Sequence, residues 1–175
     1  MMLYHWVPLD LCGSIIYPLS QLKDIYPERY KDHVRKYEGR ERTMQQIVPF
    51  FDCLWNDVVF LDPVPVEDVN RKRAEYSLSP IEGQFFKIDS GNLDQKKLLV
   101  YMHRPDWLIK KESEKPECLP FLNLTEEEKV NLAAFPSAAE WGLKRFGEKA
   151  LLFGFIPHVL YLGSIETEGI PVIDV

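Results

Sequence analysis

The chain has 175 residues, 46% of them hydrophobic and 27% charged, with a net charge of -6; such a length folds as one domain, and such a mixture excludes disorder and fibrous repeats. A negative chain with no long basic face is a poor partner for extended duplex nucleic acid, whose binding is dominated by phosphate neutralisation, but it is compatible with a small nucleotide. No signal-peptide pattern and no apolar run near the roughly 20 residues that span a bilayer are present, so no membrane contact is expected and the cytoplasm is the expected compartment.

Residues 2–7 combine alternation with aromatic and branched side chains and predict a first strand, ended by Pro8 and the stretch 10–13. Pro18 opens a short helical turn through Leu19 and Leu22. Pro27 suits the first position of the next helix, where a missing N–H costs nothing, and Tyr30, Val34 and Tyr37 recur at the i, i+4, i+7 spacing of a buried stripe. His33 falls on the polar side of that helix and is expected in solvent; Gly39 is the stop. Extended segments are predicted over 47–51 and 58–61, the second closed by Pro63 and Pro65. Pro65 then begins a helix that turns Val66, Val69 and Ala74 inward. Arg71, Lys72 and Arg73, set among Glu67, Asp68 and Glu75, read as a solvated face.

Residues 77–83 have loop composition. The stretches 84–89 and 96–104 read as strands joined by a turn at Ser90-Gly91-Asn92, and the polar stretch 110–117 as a surface excursion. Thr125 with Glu128, and Ser137 with Glu140, have capping-box spacing, so two short helices are predicted, the second ended by Gly147. Strand composition returns at 158–165 and 171–175. There is no regular β-α alternation and no internal repeat. The expectation is a single α+β domain over 1–175, with a mixed or mostly antiparallel sheet and several short helices.

Few residues stand out as chemistry. His5 can donate to a ribose hydroxyl or a phosphate while its other nitrogen is held by the backbone, with Trp6 as a fixed wall; the alternative is that it only packs. His158 lies on a late strand, and if the two strands are neighbours the two imidazoles converge on one cleft. His103 has a similar strand-end setting. Two imidazoles without a third ligand do not make a zinc site, so no metal is expected. Cys12, Cys53 and Cys118 are odd in number and widely separated, which gives neither a disulfide framework nor zinc spacing; each reads as a small buried hydrophobe rather than a nucleophile, with exposure the alternative for Cys12 beside Gly13.

Lys36 and Arg40 flank Gly39, where a guanidinium fork can grip a phosphate or the basic charge can simply complement a helix end. Trp55, Asn56 and Asp57 interrupt an otherwise apolar run. Buried polar groups must be paired, so Asn56 and Asp57 either brace a tight turn or face a ligand. No nucleophile elbow, phosphate-cradling loop or dinucleotide fingerprint occurs.

Three stretches share a likeness. The opening LYHWVPLDLCGSIIYPL resembles the first segment of ADP-ribosyltransferase-like proteins, in the branch of the bacterial DNA ADP-ribosyltransferases and RNA 2'-phosphotransferases. WNDVVFLDPVP resembles their middle segment, and HVLYLGSIETEGIPVI their closing strand pair. The resemblance implies a split mixed sheet that grips NAD in a central cleft, with His5 on the nicotinamide-side ribose and Trp55 stacked on nicotinamide. It also implies a glutamate on a late strand, where this chain has His158; Glu166 comes eight residues later. Transfer through an oxocarbenium-like ribose needs a negative group beneath the sugar, and Asp57 is the expected substitute. The expectation is therefore an NAD or nucleotide cleft bound by His5, Arg40, Trp55 and Asn56, with Asp57 and His158 catalytic, in a divergent transferase. The rival is a non-enzymatic protein-interaction module with structural histidines, which calls for an exposed apolar patch and no concave polar pocket.

Overall fold

The computed structural model describes residues 1–11, 13–39, 41–102, 117–149 and 155–175. Cys12, Arg40, His103 and residues 110–116 of the predicted surface excursion lie outside them. The first strand, β1 (Met2–Trp6), stops just before Pro8, which has no backbone donor to extend a ladder. A two-residue strand β2 (Ile15–Ile16) follows, then α1 (Leu19–Ile25) and α2 (Pro27–Val34), with Pro27 in the first turn and a 3-10 turn, Arg35–Tyr37, continuing it. The extended segment expected over 47–51 is instead half of a hairpin, β3 (Ile47–Val48) and β4 (Cys53–Leu54). Phe50 and Asp52 reverse the chain there with φ of 69° and 50°, a region that non-glycine residues seldom enter.

A 3-10 turn, Trp55–Asp57, leads into β5 (Val58–Leu61), followed by α3 (Val66–Glu75), β6 (Gln84–Asp89), β7 (Leu98–Met102) and β8 (Glu117–Pro120). The chain ends with α4 (Glu126–Ala133), α5 (Ser137–Phe146), β9 (His158–Leu162), β10 (Ile165–Glu166) and β11 (Val172–Asp174). Thr125 and Glu128 form the predicted capping box, Glu128 N–H donating to Thr125 Oγ1 at 3.2 Å and Thr125 N–H to Glu128 Oε2 at 2.7 Å. The second box does not form. Ser137 is already the first helical residue, Pro136 holds the cap position, and no side chain caps the turn.

The inward face of α3 also differs from its prediction. Val66 and Val69 are buried, but the third buried residue is Arg73, whereas Ala74 is exposed. Arg73 leaves the solvated face because it has partners inside: Nε donates to the Ser79 carbonyl at 2.6 Å and a terminal nitrogen to Glu148 at 2.5 Å. A buried guanidinium is tolerable only when so paired.

The fold is α+β with antiparallel sheets. One sheet has the order β1-β6-β11 and the other β5-β9-β7-β8. Leu3, Phe86 and Ile88 on the first, and Val59, Leu61, Val100 and Val159 on the second, share one core. Burying such a side chain is worth about 1.5–3 kcal/mol, so this shared layer fixes how the sheets face each other. The reverse side of the first sheet packs Tyr4 and Phe85 under Val66 of α3; the reverse side of the second packs Val58, Leu99 and Leu160 against Val48 of the hairpin.

The two sheets touch along their edges at one point. Tyr4 and Asp62 exchange backbone hydrogen bonds, both at 2.8 Å. On one side of this bridge β5 has ended and the chain runs through Pro63 and Pro65 into α3, with no further pair to β1 among the described residues. On the other, β1 turns toward β6 and β5 toward β9, and the edges part.

Candidate functional site

The parted edges make a wedge, and the wedge is a cleft of about 300 Å³. His5, Trp6 and Pro8 stand on one wall, Asn56, Val58 and Phe60 on the other, and the side is closed by Tyr17 ahead of α1, Tyr26 between α1 and α2, and Arg29 of α2. Strand periodicity explains the first wall. Side chains alternate, so His5 shares the face of Leu3, the face turned to the common core.

The backbone alternates as well. His5 is registered opposite Phe86, and Val7 N–H donates to the Gln84 carbonyl, so these odd-numbered residues bond to β6. Tyr4 points the other way, to Asp62, and by the same parity Trp6 does too. On β5, Asp62 points to β1, and so by parity do Phe60 and Val58. Beyond the bridge these groups meet no backbone partner among the described residues. Both walls therefore turn peptide groups toward the cleft; the Trp6 carbonyl is already taken by the His5 ring, and those without a partner call for a ligand or water.

His5 is held in a defined tautomer. Its Nδ1–H donates to the Trp6 carbonyl at 2.6 Å, which leaves Nε2 as an acceptor when the ring is neutral. Burial pushes its pKa below the ordinary imidazole value, aided by the Lys36 charge and opposed by the bond to the Trp6 carbonyl and by Asp62. The neutral ring is thus the working form at neutral pH. Asn56 lines the opposite wall, and its Oδ1 is buried without a hydrogen-bond partner among the described residues. Leaving such an acceptor unmade costs about 1–3 kcal/mol, and because this oxygen is shielded from solvent a ligand donor reaches it only if the side chain turns toward the cleft.

The structure separates the residues picked out from sequence. His5 and Asn56 share the cleft, and Arg40 lies outside the described residues. Trp55 is not on the cleft surface: it packs against Phe60 and Tyr101, with ring centroids 4.7 and 5.0 Å away, and so stiffens the wall that Phe60 presents. Asp57 accepts the Leu54 N–H at 2.8 Å and braces the 3-10 turn that presents Asn56, the turn-bracing alternative of its two readings. His158 does not line the cleft. Its Nδ1 donates to Asp62 Oδ1 at 3.0 Å, beside the bridge that forms the apex, and its ring meets Phe60 edge-on at 5.9 Å.

Sequence reasoning passed over Asp10, Arg29 and His33, which all line the cleft. His33, expected in solvent from its place on the polar side of α2, has its Nε2 3.3 Å from Asp10 Oδ2. The signal was the spacing of 29, 33 and 36, which repeats one helix face as faithfully as the apolar stripe does. No group of three or more His, Cys, Asp and Glu side chains that could hold a metal occurs among the described residues, and no described helix is long and apolar enough to cross a membrane. No protein-family model, curated protein or solved structure matches the chain.

Proposed function

We propose that the wedge between β1 and β5 binds NAD and that the protein is a divergent ADP-ribosyltransferase-like transferase. The observation that carries this reading is the parting of the two sheet edges at the Tyr4–Asp62 bridge, which leaves peptide groups on both walls beside a neutral His5 and an unmatched Asn56 acceptor. A carboxamide such as that of nicotinamide has one acceptor and two donors, the complement of such walls. The neutral His5 Nε2 can accept from a ribose hydroxyl, and the Phe60 ring, backed by Trp55, gives a planar ligand a flat apolar support. The Asp62–His158 pair stands outside the cleft lining and acts on the site only by bracing the apex, where Asp62 also carries the backbone bridge to Tyr4.

The interaction-module reading calls for a protein without a concave polar pocket, and the cleft counts against it. The NAD reading also puts the protein in the cytoplasm, where NAD coexists with free thiols such as Cys53 and Cys118. Thermal unfolding with and without NAD tests it. A ligand at a hundred times its Kd adds about 2.7 kcal/mol, which in a chain of this size raises Tm by roughly 5–10 °C. His5→Ala is expected to abolish the rise. No shift of the unmodified protein at millimolar NAD sinks the proposal.

A further inference from the structure

We infer that the basic face of α2 and its 3-10 continuation, Arg29, His33 and Lys36, is the phosphate-binding half of the cleft. This assignment rests on the nucleotide reading above and gives the ligand an orientation: nicotinamide and its ribose between β1 and β5, diphosphate against α2. The three positions follow i, i+4, i+7 spacing and all line the cleft. At a rise of about 1.5 Å per residue they extend over roughly 10 Å, a reach suited to the several oxygens of a diphosphate rather than to one carboxylate.

The state of Arg29 is the strongest observation. Its side chain is only 30% exposed, and the described residues give it a long ion pair, Nε to Asp10 Oδ2 at 3.8 Å, but no hydrogen bond. The Tyr26 ring, 5.2 Å from the guanidinium carbon, holds the plane without using a donor. A half-buried fork with its donors unmatched is arranged for a bidentate anion. Asp10 is the one carboxylate among the described lining residues, and it lies between Arg29 and His33. In a protein of net charge -6, the cleft is a local reversal of sign. Such a reversal in a concave site draws in anions.

Calorimetric titration of the full chain with ADP-ribose, inorganic pyrophosphate and nicotinamide riboside, which carries no phosphate, tests the assignment. Arg29→Gln is expected to weaken ADP-ribose and pyrophosphate by about tenfold or more and to leave nicotinamide riboside unchanged. Arg29→Lys, which keeps the charge but loses the fork, should fall between. ADP-ribose binding to Arg29→Gln as tightly as to the unmodified protein overturns the phosphate assignment and leaves the NAD reading standing. Pyrophosphate binding that depends on Arg29, without any binding of ADP-ribose or nicotinamide riboside, supports the anion site and overturns the NAD reading. Failure of the unmodified protein to bind either pyrophosphate or ADP-ribose overturns both.

Discussion

Replacing Asn56 by leucine separates the cost of an unused acceptor from its value to a ligand. The two side chains have similar shape, and in the unliganded protein Asn56 Oδ1 is buried with no partner among the described residues. A buried unmade hydrogen bond costs about 1–3 kcal/mol, while an apolar replacement of the same shape is close to neutral or stabilising. Asn56 is half-buried, so the lower end of that range applies. A gain of about 1 kcal/mol raises Tm by about 2–4 °C for a chain of this length. With ligand present the sign reverses. The variant loses a hydrogen bond worth about 0.5–1.5 kcal/mol and leaves the ligand's donor buried and unmatched, so affinity should drop by roughly ten- to a hundredfold. Scanning fluorimetry across an NAD titration reads both effects at once. An Asn56→Leu protein less stable than its parent, with an undiminished NAD-induced shift, would refute the reasoning.

His5 predicts a pH dependence. Burial lowers its pKa in the folded state, so between the ordinary imidazole value of about 6.5 and the lower folded value the unfolded chain binds the extra proton. The stability contributed by the neutral ring is complete above about pH 6.5 and is lost as pH falls through the folded value. Urea midpoints at pH 7.5 and 5.5 should therefore differ less in His5→Gln than in the parent, and equal losses would remove His5 as the cause. Burial pushes the Cys118 thiol up to about 11, from an ordinary 9.0. At pH 8 its native alkylation, followed by peptide mapping, should be slower than in denaturant by about a hundredfold or more. Comparable rates in the two states would contradict its burial.

Local signals were legible in the sequence and distant ones were not. Pro27, the Thr125–Glu128 box and the strand Gln84–Asp89 depend on residues within a few positions of one another, and each appears in the fold where its chemistry puts it. The β3–β4 hairpin was hidden because Phe50, a bulky residue that seldom does so, adopts a left-handed backbone two positions before Asp52, a residue type that enters this region more readily. Arg73 looked solvated because its partners, Ser79 and Glu148, are supplied by a loop and by a residue 75 positions away. The same limit governed the site. His5 and Asn56 could be named separately, but their meeting depends on Tyr4 finding Asp62, and the polar stripe of α2 faces inward only because a cleft lies beside it. Trp55 and Asp57 were picked out for their polarity in an apolar run. Their contacts, to Phe60 and to the Leu54 amide, support the wall and the turn that display Asn56.

Among the described residues the bridge between Tyr4 and Asp62 is the one backbone tie between the two sheet edges, and it gives the cleft the geometry of a pair of tongs. Two peptide bonds' worth of attachment act as the rivet, and a second tie, Ile16 to Ile165 with Thr167 N–H bound to the Ser14 carbonyl, tethers the loop beyond the tips. The shared core layer behind the bridge holds the two sheets at a fixed angle, so Pro8 and Val58 stand apart without being tied to each other directly. Gape is then set by positions 4 and 62, which need never touch what is grasped, and the two arms can change their inner surfaces while keeping the same grip.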